Sequence, residues 1–203
     1  KCTYKHIQIE TAKSHGSELP EKIAEEMKLV DLVIGLTKGN ITHTKARKDA
    51  QKKGVHVIAL PESHLDNFFL ANGWNCDFEK TKPQIERLAQ ALTDADRARV
   101  HTEDGTDIEM SIKGRNGRAL TGYGNSVDVS AGYCLESSLA PVEGTANGTI
   151  MVNTSVPGLC LIKEQNIEIK IKDGLATDIN GGKEAEAFRN LLKSFNDDKV
   201  YNL

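Results

Sequence analysis

Apolar and polar positions in the first part of the chain alternate between strand and helix patterns. Residues 32–36 and 55–60 are short, almost wholly apolar runs, which is typical of strands buried on both faces. Between them, residues 42–53 repeat small apolar positions at helical spacing, and Gly54 follows as a left-handed helix stop. This order predicts two parallel strands joined by a right-handed helical crossover.

Weaker signals flank this strand-helix-strand unit. Residues 7–9 alternate in a way that favours a short first strand, and helical spacing after Ser17 predicts a helix. Thr81 followed three residues later by Gln84 has the sequence of a capping box and predicts the start of a further helix. Together these elements predict that residues 1–95 form a parallel βαβ-type N-terminal domain.

From Arg97 onward the hydrophobic period changes from helical to alternating. Asp-Gly pairs at 104–105 and 173–174 are two-residue hairpin signals, and apolar residues alternate with charged ones beside them. Residues 96–182 therefore predict a mostly antiparallel, β-rich domain with one solvated face, and residues 183–203 an amphipathic helix. The predicted fold class is α/β: a parallel βαβ-type domain, a mostly antiparallel β-rich unit and a helix.

The ends of the chain suggest a longer protein. The sequence begins at Lys1 without a methionine and closes on Leu203, just as a new apolar segment begins after a polar turn. We expect the 203 residues to be a fragment whose last helix leads into a further C-terminal part.

Composition excludes several classes of protein. A hydrophobic content of 38% and a charged content of 27% are ordinary for a soluble globular protein. The formal net charge of -3 gives no basic excess for phosphate neutralisation, so no nucleic-acid partner is expected. No apolar run reaches membrane-spanning length, and no membrane association is expected.

Cysteine usage bears on the compartment. Cys2, Cys76, Cys134 and Cys160 are widely spaced and form no CxxC pair, which argues against a zinc knuckle or a redox couple. We expect buried free thiols in a reducing compartment, which favours a cytoplasmic location.

Two irregular stretches of the β-rich region carry candidate chemistry. In GRNGR, Arg115 and Arg118 offer planar, bidentate donors among glycines, which suits a bound carboxylate or phosphate. The alternative is a hairpin tip whose arginines pair with surface acids. The block ESSLAPVEGTANGTI then brings together Glu136, Glu143 and Asn147, either as a site or as a solvated loop entering a strand.

The two glutamates admit two active interpretations, as metal ligands or as an acid/base pair. The chain has no HExxH or HxH spacing, and His101 is the only histidine of residues 96–182. No serine lies in a GxSxG elbow, so a nucleophilic triad is not supported. A complete metal site within the 203 residues is not expected, and the catalytic residues are not identified.

Several motifs nevertheless resemble one known family. KSHGSELPEKIAEEMKLVDLVIG, THTKAR, GRNGRALTGYG, IKDGLATDINGGKEA and above all LAPVEGTANGTI resemble the aminopeptidase T family of metallopeptidases. They are equally similar to that family's relatives, the dihydroxypyridine ring-cleaving iron dioxygenases. The resemblance implies that Glu136, five residues before the motif proline, is a metal ligand. Tyr133, Cys134 and Leu135 stand where the family usually has proline and glycine. The family's other ligands, acidic and histidine residues, lie C-terminal to this segment.

The leading hypothesis is therefore a fragment of a cytoplasmic, metal-dependent aminopeptidase, inactive alone, in which a divalent metal such as zinc or cobalt activates water. Arg115, Arg118, Glu143 and Asn147 would shape the pocket for a small peptide or small-molecule substrate. No cofactor is expected in the fragment itself, and the resemblance implies a homodimer. The first alternative is a fragment of a non-haem iron ring-cleaving dioxygenase. The second is a binding module without catalysis.

Overall fold

The computed structural model describes residues 2–12, 16–62, 76–123 and 135–203. The chain divides into two compact units. Unit 1 comprises Lys1–Leu88 and Arg118–Ser137, and unit 2 comprises Ala89–Gly117 and Ser138–Leu203. The predicted α/β fold class is confirmed by a parallel pair of strands, a larger antiparallel sheet and a C-terminal helix.

Unit 1 holds the parallel strands and the helices that flank them. Its elements are α1 (Glu21–Glu26), a 3-10 turn (Met27–Leu29), β1 (Leu32–Thr37), α2 (Lys45–Lys52), β2 (His56–Pro61), the first part of α3 (Phe78–Asp94), β5 (Arg118–Leu120) and the start of β6 (Glu136–Ser138).

Strands β1 and β2 pair in parallel, with Val33 opposite Val57, and α2 forms the crossover between them. The hydroxyl of Thr44 caps α2 by accepting from the backbone N–H of Arg47. Gly54 ends the helix region with a φ of 89°, as predicted for a left-handed stop. Small alanines on α2 pack on the strands, in a core formed by Met27, Ile41, Ala46, Ala50, Val55, Val57 and Ala59.

Two local expectations for unit 1 were wrong. Residues 7–9 form no strand, and Ile7 is exposed, because two alternating apolar residues bury too little surface to fix a strand. The helix α3 begins at Phe78, before the predicted capping box at Thr81. The Asp77 carboxylate accepts the backbone N–H of Lys80 at 3.0 Å, so Asp77 takes the capping position and Thr81 lies inside the helix.

Unit 2 is built on a five-stranded antiparallel sheet in the order β11-β10-β7-β4-β3. These strands are β3 (Arg97–His101), β4 (Asp107–Ser111), β7 (Asn147–Val152), β10 (Ile167–Lys172) and β11 (Leu175–Asn180). A short hairpin of β8 (Ser155–Val156) and β9 (Cys160–Leu161), the helix α4 (Lys183–Ser194) and a 3-10 turn (Asp198–Tyr201) complete the unit.

Both predicted hairpins are present. Between β10 and β11, Asp173 and Gly174 have φ values of 49° and 74°, the two positive φ angles of the turn that suits a tight hairpin. Between β3 and β4 the N–H of Thr102 donates to the carbonyl of Thr106, so the loop comprises residues 103–105 instead of the predicted two-residue turn, and Gly105 has a φ of 103°. The turn residues and the alternation of apolar and polar residues along the strands therefore predicted both strand pairs.

The two faces of the sheet differ as the alternation predicts. On one face Arg99 of β3 makes a bidentate bond to Asp107 of β4, with both distances 2.8 Å. On the other face Ile108, Ile167 and Ile171 are buried. The helix α4 packs there through its buried Ala185 and its half-buried Phe188 and Leu192. One face is solvated and the other holds the core of unit 2.

Further properties follow from the described residues. None of their helices is both long enough and apolar enough to cross a membrane. Cys2, Cys76 and Cys160 are free, but Cys2 is exposed and the other two are half-buried, so the predicted burial of these thiols was wrong. Cys2 lies in the N-terminal segment, which forms no strand or helix over residues 2–12. Cys134 lies outside the described residues.

Candidate functional site

The motif turn, which we define as residues 142–147, is anchored on β4. The backbone N–H of Val142 donates to the carbonyl of Ser111 at 2.8 Å. The Thr145 hydroxyl accepts from the N–H of Ser111 at 3.1 Å and donates to the carbonyl of Val142 at 2.6 Å. Threonine thus closes the turn on itself and fixes it to the neighbouring strand. The glycine inside it, Gly144, has a φ of 75°.

Asn147 connects the motif turn to the β10–β11 hairpin. Its Oδ1 accepts from the backbone N–H of Asp173 at 2.9 Å, and its Nδ2 donates to the carbonyl of Thr145 at 3.2 Å. Beside it, the N–H of Gly174 donates to the carbonyl of Ala146 at 2.9 Å. A Cβ on Gly174 would lie 2.7 Å from the backbone nitrogen of Gly144, so the two turns are in backbone contact. Both ends of the Asn147 amide therefore bond to backbone groups within unit 2.

Arg115 and Glu143 form an ion pair at the outer side of the motif turn. The side chain of Arg115 is 35% exposed and that of Glu143 is 81% exposed. The pKa of Glu143 is lowered, first by a hydrogen bond from its own backbone N–H and then by the nearby charge of Arg115. The carboxylate is therefore held in its ionised form, as a bound partner of the guanidinium.

The glycine two residues after Arg115 is fixed by a close approach to α3. The N–H of Gly117 donates to the Thr93 hydroxyl at 2.8 Å, and that hydroxyl donates to the carbonyl of Ala89 at 2.9 Å. A Cβ on Gly117 would lie 2.1 Å from the carbonyl oxygen of Ala89, a distance that no side chain tolerates. The sequence marks Gly117 only as one of the glycines beside the two arginines, and the contribution of Thr93 was missed. Gly117 and Thr93 lie far apart in the sequence, so no local sequence pattern predicts that they meet.

Arg118 and Glu136 lie elsewhere, on the paired strands β5 and β6 of unit 1. Glu136 is exposed and Arg118 is half-buried. The next residue, Ser137, donates its hydroxyl to the carbonyl of Ile85 on α3 at 2.7 Å, which fixes β6 against that helix. The structure therefore brings Arg115, Glu143 and Asn147 together in unit 2 and places Arg118 and Glu136 on one strand pair in unit 1.

A metal needs several converging ligands. Across residues 2–12, 16–62, 76–123 and 135–203, no group of three or more His, Cys, Asp or Glu side chains is arranged to hold one. Zinc in catalytic sites uses three protein ligands, and non-haem iron uses two histidines and a carboxylate. Glu136 supplies a single carboxylate. The described residues do not fit a metal ion by themselves.

Comparisons with known proteins give the chain its relatives. The family model of NicX, 2,5-dihydroxypyridine 5,6-dioxygenase, matches residues 3–203. No curated protein matches the sequence significantly. The structure of 2,5-dihydroxypyridine dioxygenase from Pseudomonas putida KT2440 is similar with a TM-score of 0.72 and 20% identity, over 89% of this chain and 51% of that chain.

A second similar structure is wild-type AmpT from Thermus thermophilus, with a TM-score of 0.53 and 14% identity, over 93% of this chain and 58% of that chain. At such identities the two structural likenesses show the fold alone. The chain spans about half the length of the similar dioxygenase. The family match supports the dioxygenase alternative better than the predicted aminopeptidase.

Proposed function

Because the chain belongs to the NicX family of 2,5-dihydroxypyridine 5,6-dioxygenases, we propose that it is part of an enzyme that opens a dihydroxylated pyridine ring with molecular oxygen. The observation that carries the proposal is the family match over residues 3–203. The fold likeness to the Pseudomonas putida dioxygenase supports it. Both oxygen atoms of one O2 molecule would enter the ring-opened product, as the word dioxygenase implies.

The metal in this reaction would be non-haem iron, which takes two histidines and one carboxylate in enzymes of this chemistry. We propose that Glu136 supplies the carboxylate and that the remaining ligands, as the family resemblance implies, lie C-terminal to this segment. Arg118 lies on the strand paired with that of Glu136, so its guanidinium is a candidate to bind a deprotonated hydroxyl of the substrate.

The predicted substrate contacts of Arg115, Glu143 and Asn147 remain proposals. Their observed bonds favour a supporting role, because Asn147 joins two turns and Glu143 holds Arg115. In the proposed enzyme these three residues would keep the motif block rigid while the substrate binds elsewhere. The Arg115 guanidinium bonds to Glu143 through one of its nitrogens, so a direct contact with substrate would use its other N–H groups.

The test uses the full-length protein that contains these 203 residues, loaded with Fe(II) without oxygen and then mixed with oxygenated 2,5-dihydroxypyridine. We expect oxygen uptake that matches the loss of substrate. Glu136→Ala should lower both the bound iron and the uptake. Glu103→Ala, which removes an exposed carboxylate in the β3–β4 turn, is the matched control and should change neither.

Two results would count against these proposals in different ways. Release of N-terminal amino acids from peptides by the zinc- or cobalt-loaded protein, with no oxygen uptake, would restore the aminopeptidase hypothesis. If Glu136→Ala kept a normal iron content while the parent protein cleaved the ring, the proposed role of Glu136 as a ligand would be overturned. The proposed reaction would stand.

A further inference from the structure

A short segment before α1, which we call the strap, consists of residues 16–19 and is tied to the start of α2. The N–H of Gly16 donates to the carbonyl of Asn40 at 2.9 Å. The Glu18 carboxylate accepts from the N–H of Lys45 at 2.6 Å and from the N–H of Ala46 at 3.3 Å. Both bonds to Glu18 join distant parts of the sequence, since the separations are 27 and 28 residues.

The strap contacts the segment between β1 and α2, at the carboxyl end of β1. Ile41, Thr42 and Thr44 of this segment are buried, with relative exposures of 5%, 9% and 0%. The Thr44 hydroxyl donates to the carbonyl of Ile41 at 2.8 Å, which closes the segment on itself. Ligands of open parallel sheets bind beyond the carboxyl ends of the strands. The strap is therefore bonded to the segment that follows the carboxyl end of β1, the kind of edge at which such sheets receive ligands.

We propose that the strap is a closure over this edge of unit 1 and that the Glu18 carboxylate is its latch. The unsatisfied N–H groups at the start of a helix attract an anion, and the helix dipole adds to the attraction. Glu18 supplies that anion from outside the helix. Glu18 is exposed to solvent, so water competes for the two backbone N–H groups that its carboxylate holds.

A closure and a simple helix cap differ in what else moves. A cap that is removed frees the two amides it held, those of Lys45 and Ala46. A closure that is released also frees other contacts of the strap, among them the bond from Gly16 to Asn40 and the packing of Leu19 on the core of unit 1, although Gly16 has no hydrogen bond to Glu18. The amide of Gly16 therefore reports the movement of the strap as one piece. This closure does not depend on the proposed ring-cleaving reaction.

The test is amide hydrogen exchange of the 203-residue chain, read residue by residue by NMR. Loss of a charged helix cap lowers local protection by about fivefold to tenfold. We expect Glu18→Ala to raise exchange by that factor at Lys45, Ala46 and Gly16, with β2 unchanged. Glu18→Gln keeps an acceptor without the charge and should give a smaller rise at the same three amides. Glu10→Ala removes another exposed carboxylate of unit 1 and should leave all three at the parent rates.

Three outcomes would overturn the closure. The first is faster exchange at Lys45 and Ala46 with Gly16 unchanged, which would leave Glu18 as a helix cap only. The second is an equal rise throughout β1, β2 and α2, which would mean that unit 1 is destabilised as a whole. The third is no change at any of the three amides in Glu18→Ala.

Discussion

The residues singled out in one run of sequence occupy two regions that differ in how their side chains are used. In the motif turn of unit 2, Asn147 bonds to backbone groups of two turns, and Glu143 holds Arg115. On the β5–β6 pair of unit 1, Glu136 projects from a short strand and is exposed. The first region builds a scaffold, whereas the second carries an exposed carboxylate. Within 12 residues, from Glu136 to Asn147, the motif block therefore joins a part that binds two turns together and a part for which we propose a chemical role.

The largest effect should come from Gly117→Ala, which tests how firmly the backbone at this glycine is held in unit 2. The new methyl group would meet the carbonyl of Ala89 at 2.1 Å, so the backbone at residue 117 must move away from α3 and lose the bond to Thr93. We expect a loss of roughly 2–4 kcal/mol in the free energy of unfolding. Urea denaturation measures it.

The same loop offers a matched control for that substitution. A Cβ on Gly114 would meet nothing within 4 Å, although its φ of 73° is left-handed. Gly114→Ala should therefore cost about 1–2 kcal/mol, the backbone term alone. Equal losses in the two variants would show that the contact with Ala89 does not restrain the loop.

Asn147 provides the next largest effect. Asn147→Ala removes the acceptor for the Asp173 N–H and the donor to Thr145, and we expect a loss of about 1–2 kcal/mol in unfolding free energy. Asn147→Asp keeps an oxygen acceptor for Asp173 and should lose less. Thermal and urea denaturation of the two variants compare them. If Asn147→Asp were as unstable as Asn147→Ala, the bond to Asp173 would not be what joins the turns.

The scaffold could be predicted only where its signals are local. The β10–β11 hairpin followed from an Asp-Gly pair between alternating isoleucines, because turn chemistry and strand period act over a few residues. The start of α3 was missed because Asp77 and Thr81 both have side chains suited to a cap, and the sequence alone does not rank them. The hairpin that was predicted and the helix start that was missed both depend on residues that lie close together in the sequence.

Contacts between distant segments explain why the site itself was predicted less well. Asn147 and Asp173 are separated by 26 residues, and nothing in either segment encodes that their turns meet. Gly117 likewise reads as a flexible residue until its approach to Ala89 is known. The residue types in the motif block were informative about polarity, but their partners depend on the fold of unit 2. One motif residue, Glu136, belongs instead to unit 1.

The ion pair of the scaffold should show itself in the pH dependence of stability. The folded-state pKa of Glu143 lies below its ordinary value of 4.5, so its stabilising contribution is present above that value and is lost as pH falls through the folded pKa. We expect Glu143→Gln to be less stable than the parent at neutral pH and to approach it below pH 4.5. Urea midpoints measured across this range give the difference. A gap that stays constant as pH falls would mean that the Glu143 charge does not contribute.

The smallest effect on stability is expected at Glu136, and it is the change that separates the two regions most sharply. Because the side chain is exposed, Glu136→Gln should change the free energy of unfolding by no more than about 0.5 kcal/mol. In the iron-loaded full-length protein the same substitution should lower bound iron, since an amide is a poorer ligand than a carboxylate. Asn147→Ala should do the reverse, lowering stability while iron content stays near the parent value. Denaturation and elemental analysis of both variants measure the crossover. If Glu136→Gln instead lost stability and kept its iron, Glu136 would belong to the scaffold, and the carboxylate of the proposed site would have to be sought elsewhere.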